Sequence, residues 1–342
     1  MSEHDRARIF DGHLDLAYLA EIGRDMHAPL AQCRGTLLPA AVTLPSLADG
    51  NVRGCLGTIF TEASEQDSPQ GLQLGGFQHT YPPGDAEAAH RAGLRQLKLY
   101  QAWRDAGVID LLPDLRSAPL ALGILMEGAD PIRGADEVSW WAQQGVIAIG
   151  LAWALGSRYA GGNSQKTGLT PEGREVVRAI DDAGVIHDLS HLSDKAMDEV
   201  LDRATGRVMA SHSNARALLG GQNQRHLRDE SIVEIARRGG VIGVNLYAPF
   251  LDPAFDKTGK RPPLKLALEH VRHIARIAGK DKVCLGTDMD GGFDAAQLPA
   301  GVNEPADLHQ LLNMLRDDGW SEAEVAGFAF GNWARFLGVA EI

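Results

Sequence analysis

Residues 185–213 read VIHDLSHLSDKAMDEVLDRATGRVMASHS, and the order of residue types there sets the architecture. Val185 to His191 is a short apolar, β-rich run. Asp194 to Ala204 places apolar residues at helical spacing and gives way to Gly206, and Arg207 to Ser213 is a second apolar run. The two runs are near-continuously apolar, as parallel strands are when helices cover both faces of their sheet. The same strand-then-helix order extends in both directions. Strands are expected at Arg8 to His13, Val52 to Phe60, Leu120 to Glu127, Val146 to Trp153, Val241 to Tyr247 and Val283 to Asp288, which makes eight in all. Helices are expected at Asp85 to Ala106, Ala135 to Gln144, Pro171 to Ala183, Asp229 to Arg238 and Leu264 to Ala278. A doubly wound open sheet competes with this reading, but no G-x-G-x-x-G or G-x-x-x-x-G-K-[ST] follows any strand. The expectation is an α/β chain folded as a closed (β/α)8 TIM barrel, one domain over residues 1–342, with long insertions after strand ends at about residues 18–50, 61–84, 154–169 and 248–263.

Composition agrees with a soluble enzyme. The 342 residues are 44% hydrophobic and 23% charged, ordinary globular usage that argues against disordered or coiled-coil chains. A net charge of −12, with 33 basic residues scattered among 45 acidic ones, makes duplex nucleic acid and anionic membrane surfaces poor partners. Cys33, Cys55 and Cys284 are too few and too dispersed for a disulfide framework or a zinc site, and Cys55 and Cys284 fall inside strands as buried packing residues. The polar start, Met1 to Arg6, lacks a signal-peptide core, and no apolar run approaches the ~20 residues of a membrane span. A cytoplasmic location is expected, with a small-molecule substrate; a homodimer is one assembly open to such a chain.

The strand ends carry the chemistry. The first ends Asp11-Gly12-His13-Leu14-Asp15, the third Met126-Glu127, the fifth Asp188-Leu189-Ser190-His191, the sixth Ser211-His212-Ser213 and the eighth Asp288-Met289-Asp290. Period-two alternation turns His13 and Asp15 to one side as a chelating edge, His191 and His212 supply another, and Glu127 can bridge with its two oxygens. Three imidazoles and two carboxylates suit borderline ions such as zinc rather than calcium or copper(I). They exceed what one four-coordinate catalytic zinc uses, whereas two divalent ions roughly 3.5–4 Å apart account for all five. Asp288 is the expected proton carrier, with Asp290 as the alternative on the same face. A lone histidine at a strand end is more often hydrogen-bonded core than ligand, so the weight rests on five such residues meeting at one rim. His187 shares a face with His191 in this reading and is taken as a core histidine. Ser190 and Ser211 are expected to point toward the helices, and no G-x-S-x-G elbow occurs.

The segments Asp11 to Leu16, Gly168 to Val177, Asp188 to His191, Ser211 to Ser213, Arg225 to Asp229, Gly286 to Gly291 and Gly331-Asn332 resemble the signature segments of the membrane dipeptidase (renal dipeptidase) family, across essentially the whole chain. The resemblance implies a binuclear zinc barrel of the amidohydrolase type that cleaves dipeptides, often with a D-residue at the C-terminal position. By position it implies that His13 and Asp15 bind one zinc, His191 and His212 the other, that Glu127 bridges and that Asp288 transfers the proton. It further implies that Arg225 grips the substrate's terminal carboxylate, although His226 follows where the family has Asn. Where the family has a histidine that holds the developing oxyanion, this chain has Trp153 in Leu151-Ala152-Trp153. An indole N–H donates one hydrogen bond and cannot become cationic, so Arg158 and Tyr159 on the following loop are the residues placed to compensate. The wider alternative is an amidohydrolase acting on N-acyl amino acids, lactams, lactones or esters.

Overall fold

The computed structural model describes residues 7–63, 80–115 and 117–339. Eight parallel strands form the centre: β1 (Ile9–Leu14), β2 (Val52–Phe60), β3 (Ala121–Glu127), β4 (Val146–Gly150), β5 (Ile186–Asp188), β6 (Val208–Met209), β7 (Ile242–Val244) and β8 (Val283–Leu285). β1 to β6 pair in chain order as one curled sheet, and β7 pairs with β8. The two parts join through a parallel bridge between Ala210 and Ile242. On the other side a side chain closes the ring: the Thr287 N–H and hydroxyl donate to the Asp11 carboxylate at 2.8 and 2.5 Å. The barrel expected from the strand–helix alternation is the fold that forms.

All of the expected helices are present within a residue or two, because their ends are chemically marked. Asp85, Thr170 and Ser193 accept the N–H of Ala88, Gly173 and Ala196 at 2.9, 3.0 and 3.0 Å, each satisfying a donor that the first helical turn leaves free. Helix 135–143 begins as a 3-10 turn before Val138–Gln143. The later strands stop short of their expected ends. β5 ends at Asp188, β7 at Val244 and β8 at Leu285; beyond β5 and β8 the backbone leaves the extended conformation, with φ of 66° at His191, 61° at Asp288 and 63° at Asp290. The sequence reading missed the short strand Asp110–Leu111 beside β3 and the pair Glu62–Ala63 with Thr80–Tyr81.

The interior is layered. At the bottom, Phe10, Leu56, Leu125, Ala148, Ile186, Met209, Val241 and Cys284, one residue from each strand or its flank, pack with Phe330 and Trp333. Cys55 is buried on the helix side of the sheet, as expected, and Cys284 inside the barrel. Two residues above this floor, β1, β7 and β8 have no room for a side chain: a Cβ at Gly243 or Gly286 would stand 2.0 Å from the Ser211 carbonyl oxygen, and one at Gly12 would stand 2.8 Å from that oxygen and 2.3 Å from the Trp333 ring. At the same step on their own strands stand Glu127, Asp188 and Ser211, and two residues beyond Gly243 and Gly286 stand Asn245 and Asp288; all five are buried and polar. Among the described residues no helix is long and apolar enough to cross a membrane.

Because Trp333 is also fixed by its indole N–H to the Leu285 carbonyl at 2.7 Å, it cannot move aside for a new methyl group. Gly12→Ala is expected to destabilise the fold by about 1–3 kcal/mol through overpacking, read as a lower urea midpoint. An unchanged midpoint would contradict the close packing at this level.

Candidate active site

Five side chains named from the sequence meet at the C-terminal rim. Glu127 ends β3 with one carboxylate oxygen 3.4 Å from His13 Nε2, and the other 3.1 Å from His191 Nε2 and 3.5 Å from His212 Nε2. Asp15 lies on the His13 side, 3.7 Å from the same Nε2. Three overlapping sets therefore offer ligand atoms within 4.8 Å of one another: His13, Asp15 and Glu127; Glu127, His191 and His212; and His13, His212 and Asp288. The membership of Asp288 in the last set shows how close it stands to the cluster.

The donor atoms are aimed by neighbours. Asn163 Oδ1 lies 2.9 Å from His191 Nδ1, which turns that ring's Nε2 to the centre. His191 Nε2 and His212 Nε2 are 3.0 Å apart, a separation at which two nitrogen lone pairs repel unless a proton or cation lies between them. Thr58 donates to Asp15, and Asn245 Nδ2 donates to Asp288 at 2.8 Å. Sequence reasoning missed these partners, and it placed Ser211 wrongly. Regular β6 ends at Met209, which points into the barrel, so two residues on Ser211 also points inward. Its Oγ lies 2.7 Å from His212 Nδ1 and 3.3 Å from His13 Nδ1, and 2.6 Å from Asp188 Oδ2. Ser190 turns inward as well, its Oγ 3.2 Å from Ser213 Oγ. Counting parity from the interior residues Ile186 and Met209, rather than from the histidines, is the signal that finds Asp188 and Ser211. For the same reason His187 does not share a face with His191; it is a buried histidine on the outer face, 2.7 Å from Asp181.

Burial shapes the charge of the cluster. It drives the Asp288 carboxyl up to about 7, with Asp15 and Glu127 adding to the rise and His13 and Arg225 opposing it. Asp15 is pushed up to about 6 by burial and by Glu127. Burial and the nearby Arg225 bring His191 down to about 4, and burial also lowers His212, so both are neutral at pH 7. At His13 burial acts downward but is outweighed by Glu127, Asp15 and Asp288, which raise it to about 10. Asp290 takes no part in the cluster. Arg24 pairs with it, and the Ala41 and Val42 N–H groups donate to it at 2.9 and 2.7 Å, so it anchors the loop after β1.

Arg225 is not the solvated loop cation that its position in the sequence allows. It is 3% exposed, its two terminal nitrogens donate to Ser213 Oγ at 3.0 Å and the His212 carbonyl at 2.8 Å, and its Nε has no hydrogen-bond partner among the described residues. Phe250 lies under the guanidinium, 5.1 Å from ring centre to carbon. The Trp153 ring stands 6.0 Å from that of His191 and 5.3 Å from that of Phe60. The structure does not bring Arg158 and Tyr159 to the cluster. Arg158 donates to the Asp130 and Ile132 carbonyls at 2.8 and 2.7 Å and Tyr159 to the Ile132 carbonyl, so both tie down the loop after β3.

A parallel barrel with histidines and carboxylates converging at its C-terminal rim defines a metal-dependent hydrolase. Residues 3–342 match the family described as membrane dipeptidase (peptidase family M19), and the chain belongs to that family. It is 32% identical over 314 residues to dipeptidase tcpJ of Claviceps purpurea, covering 89% of this chain and 70% of that protein. It is 31% identical over 259 residues to an uncharacterised protein in the pqqA 5′ region of Klebsiella pneumoniae, covering 73% of this chain and 90% of that one. Its fold is similar to that of a Rhodobacter sphaeroides metallo peptidase liganded with a phosphinate mimic of L-Ala-D-Ala, with a TM-score of 0.79 at 24% identity over 98% of this chain and 100% of that one.

The raised Asp288 has a measurable consequence. Its carboxyl titrates near 7 when folded against 3.8 ordinarily, so the folded state holds a proton that the unfolded chain releases above about pH 4. The stability Asp288 contributes is thus present below about pH 4 and lost as pH rises through about 7. In chelator-treated protein, Asp288→Asn is expected to gain stability relative to wild type across that window, on the order of a few kcal/mol. Parallel stability–pH curves for the two proteins would contradict the burial argument.

Proposed function

We propose that this protein is a zinc-dependent dipeptidase that binds two divalent ions between its rim side chains. The observation that carries the reading is the placement of Glu127, with one oxygen toward His13 and the other toward His191 and His212. His13 and Asp15 would hold one ion, His191 and His212 the other, and Glu127 would share both. The donor set fits: two neutral imidazoles present Nε2 atoms 3.0 Å apart, and the buried carboxylates leave negative charge for cations to balance. Two such ions supply an acidified water and polarise the acyl oxygen.

The chain's own residues supply the rest. Asp288, fixed by Asn245 and buried beside the cluster, accepts the proton of the attacking water and hands it to the leaving amine nitrogen. Arg225 binds the terminal carboxylate of the substrate. Its η nitrogens already donate to neutral oxygens, and its buried positive charge and free Nε–H favour an incoming anion. Trp153 walls the opposite end, near the N-terminal residue of the substrate, where it replaces a cationic donor with a bulky neutral one. A D-residue at the C-terminal position, a cytoplasmic setting, a single domain and a homodimer complete the proposal. Trp153 is also the observation that favours a second reading, an amidohydrolase for N-acyl amino acids, lactams, lactones or esters. In either reading oxyanion stabilisation depends on the ions rather than on a histidine.

The test is zinc-loaded protein assayed on L-Xaa-L-Xaa and L-Xaa-D-Xaa dipeptides, their C-terminal amides and matched N-acyl amino acids. Free dipeptides are expected to be cleaved best. Arg225→Lys is expected to raise their KM by the worth of a charge-assisted hydrogen bond, about 1.5–3 kcal/mol, with little change for the amides. Equal cleavage of free and amidated dipeptides by wild type would remove Arg225 from the carboxylate role and favour the second reading.

A further inference from the structure

His13 and His212 come from strands far apart in the sequence, yet their rings stack, with centroids 3.6 Å apart and planes at 26°. At one end of the stack the two Nε2 atoms face the two oxygens of Glu127, at 3.4 and 3.5 Å. At the other end both Nδ1 atoms face a single atom, Ser211 Oγ, at 3.3 and 2.7 Å. A hydroxyl has one proton to give. The shortest contact of Ser211 Oγ is 2.6 Å, to Asp188 Oδ2, and Asp188 is fixed there because its other oxygen accepts the N–H groups of Ser211 at 2.9 Å and Ser190 at 3.2 Å. With its proton directed to Asp188, Ser211 Oγ can only accept from the two imidazoles.

We infer that Ser211, held by Asp188, is a positioning residue that sets both His13 and His212 in the tautomer with the proton on Nδ1, leaving both Nε2 lone pairs for metal. The inference rests on the two-ion reading above, in which these histidines serve different ions. One hydroxyl then couples the two half-sites. This differs from the other supports of the cluster, each of which touches one ligand: Asn163 holds only His191 and Thr58 only Asp15. A second hydroxyl pair lies beside this one: Ser190 Oγ is 3.2 Å from Ser213 Oγ, which accepts from Arg225 at 3.0 Å, and it stays separate because the proton and both lone pairs of Ser211 are committed to Asp188 and the two imidazoles. Every member is buried, which makes a lost partner costly and the arrangement rigid.

Two measurements on the zinc-loaded protein test this. In chelator titrations, Ser211→Ala is expected to release both zinc ions at affinities about 10- to 100-fold weaker than wild type, whereas Asn163→Ala weakens only one. In wild type labelled with 15N-histidine, the ring nitrogen shifts of His13 and His212 are expected to show a protonated Nδ1 and a metal-bound Nε2; this reading needs no variant to fold. Wild-type affinity at both ions in Ser211→Ala, weakening at one ion only, or an unprotonated Nδ1 on either ring would overturn the inference. A wild-type protein that holds no zinc would overturn the two-ion reading instead, and the spectrum of His212, whose ring stays neutral, would still decide that tautomer.

Discussion

Glu127 is 5% exposed and faces three imidazole nitrogens within 3.5 Å. A carboxylate withdrawn from water in this way must be balanced by positive charge, and the geometry around it follows from that requirement. His13 reaches it from β1, His191 and His212 from the ends of β5 and β6, and each ring is turned by a partner on its far nitrogen. Glycines beneath the cluster bring those strands close enough to meet: a side chain at Gly243 or Gly286 would collide with the Ser211 carbonyl and push β6 away from its neighbours. The same narrowness puts the polar layer immediately above an apolar floor, so its carboxylates are poorly solvated and Asp288 titrates near neutrality.

The fold was legible because its signals are local. Eight apolar runs, helical spacing between them and the absence of any nucleotide fingerprint suffice for a barrel, and the helices fall where that spacing places them, with Asp85, Thr170 and Ser193 capping three of their starts. The set of residues that converge was legible too, since His13, Asp15, Glu127, His191, His212 and Asp288 all sit at strand ends and the structure gathers them at one rim. What escaped was anything dependent on the backbone beyond the last ladder hydrogen bond. Alternation counted back from His191, where φ is 66°, puts His187 on the wrong face, and alternation counted from His212, beyond the regular end of β6, turns Ser211 outward. The choice between Asp288 and Asp290 had the same origin: equal spacing puts both on one face, and only Arg24, distant in sequence, shows that Asp290 is already paired. Arg158 and Tyr159 lie next to the site in sequence, but Arg158 Nη2 and the Tyr159 hydroxyl are committed to the loop carbonyls at Asp130 and Ile132, which composition cannot reveal.

The cluster has two kinds of border. Arg225, buried and with its Nε unpartnered among the described residues, donates to the His212 carbonyl, and the aromatic pair Trp153 and Phe60 lies beside His191. A buried cation beside the cluster suits a substrate that carries a carboxylate a short distance from its scissile amide, as a dipeptide does. Membership of the membrane dipeptidase family agrees with it.

The central claim is that Glu127 is shared by two ions. Diffraction from crystals of the zinc-loaded protein, collected on both sides of the zinc absorption edge, tests it most directly. The account predicts two anomalous peaks, one against His13 and Asp15 and the other against His191 and His212, both touching Glu127. A single peak at full zinc loading, or two peaks of which only one contacts Glu127, would contradict it.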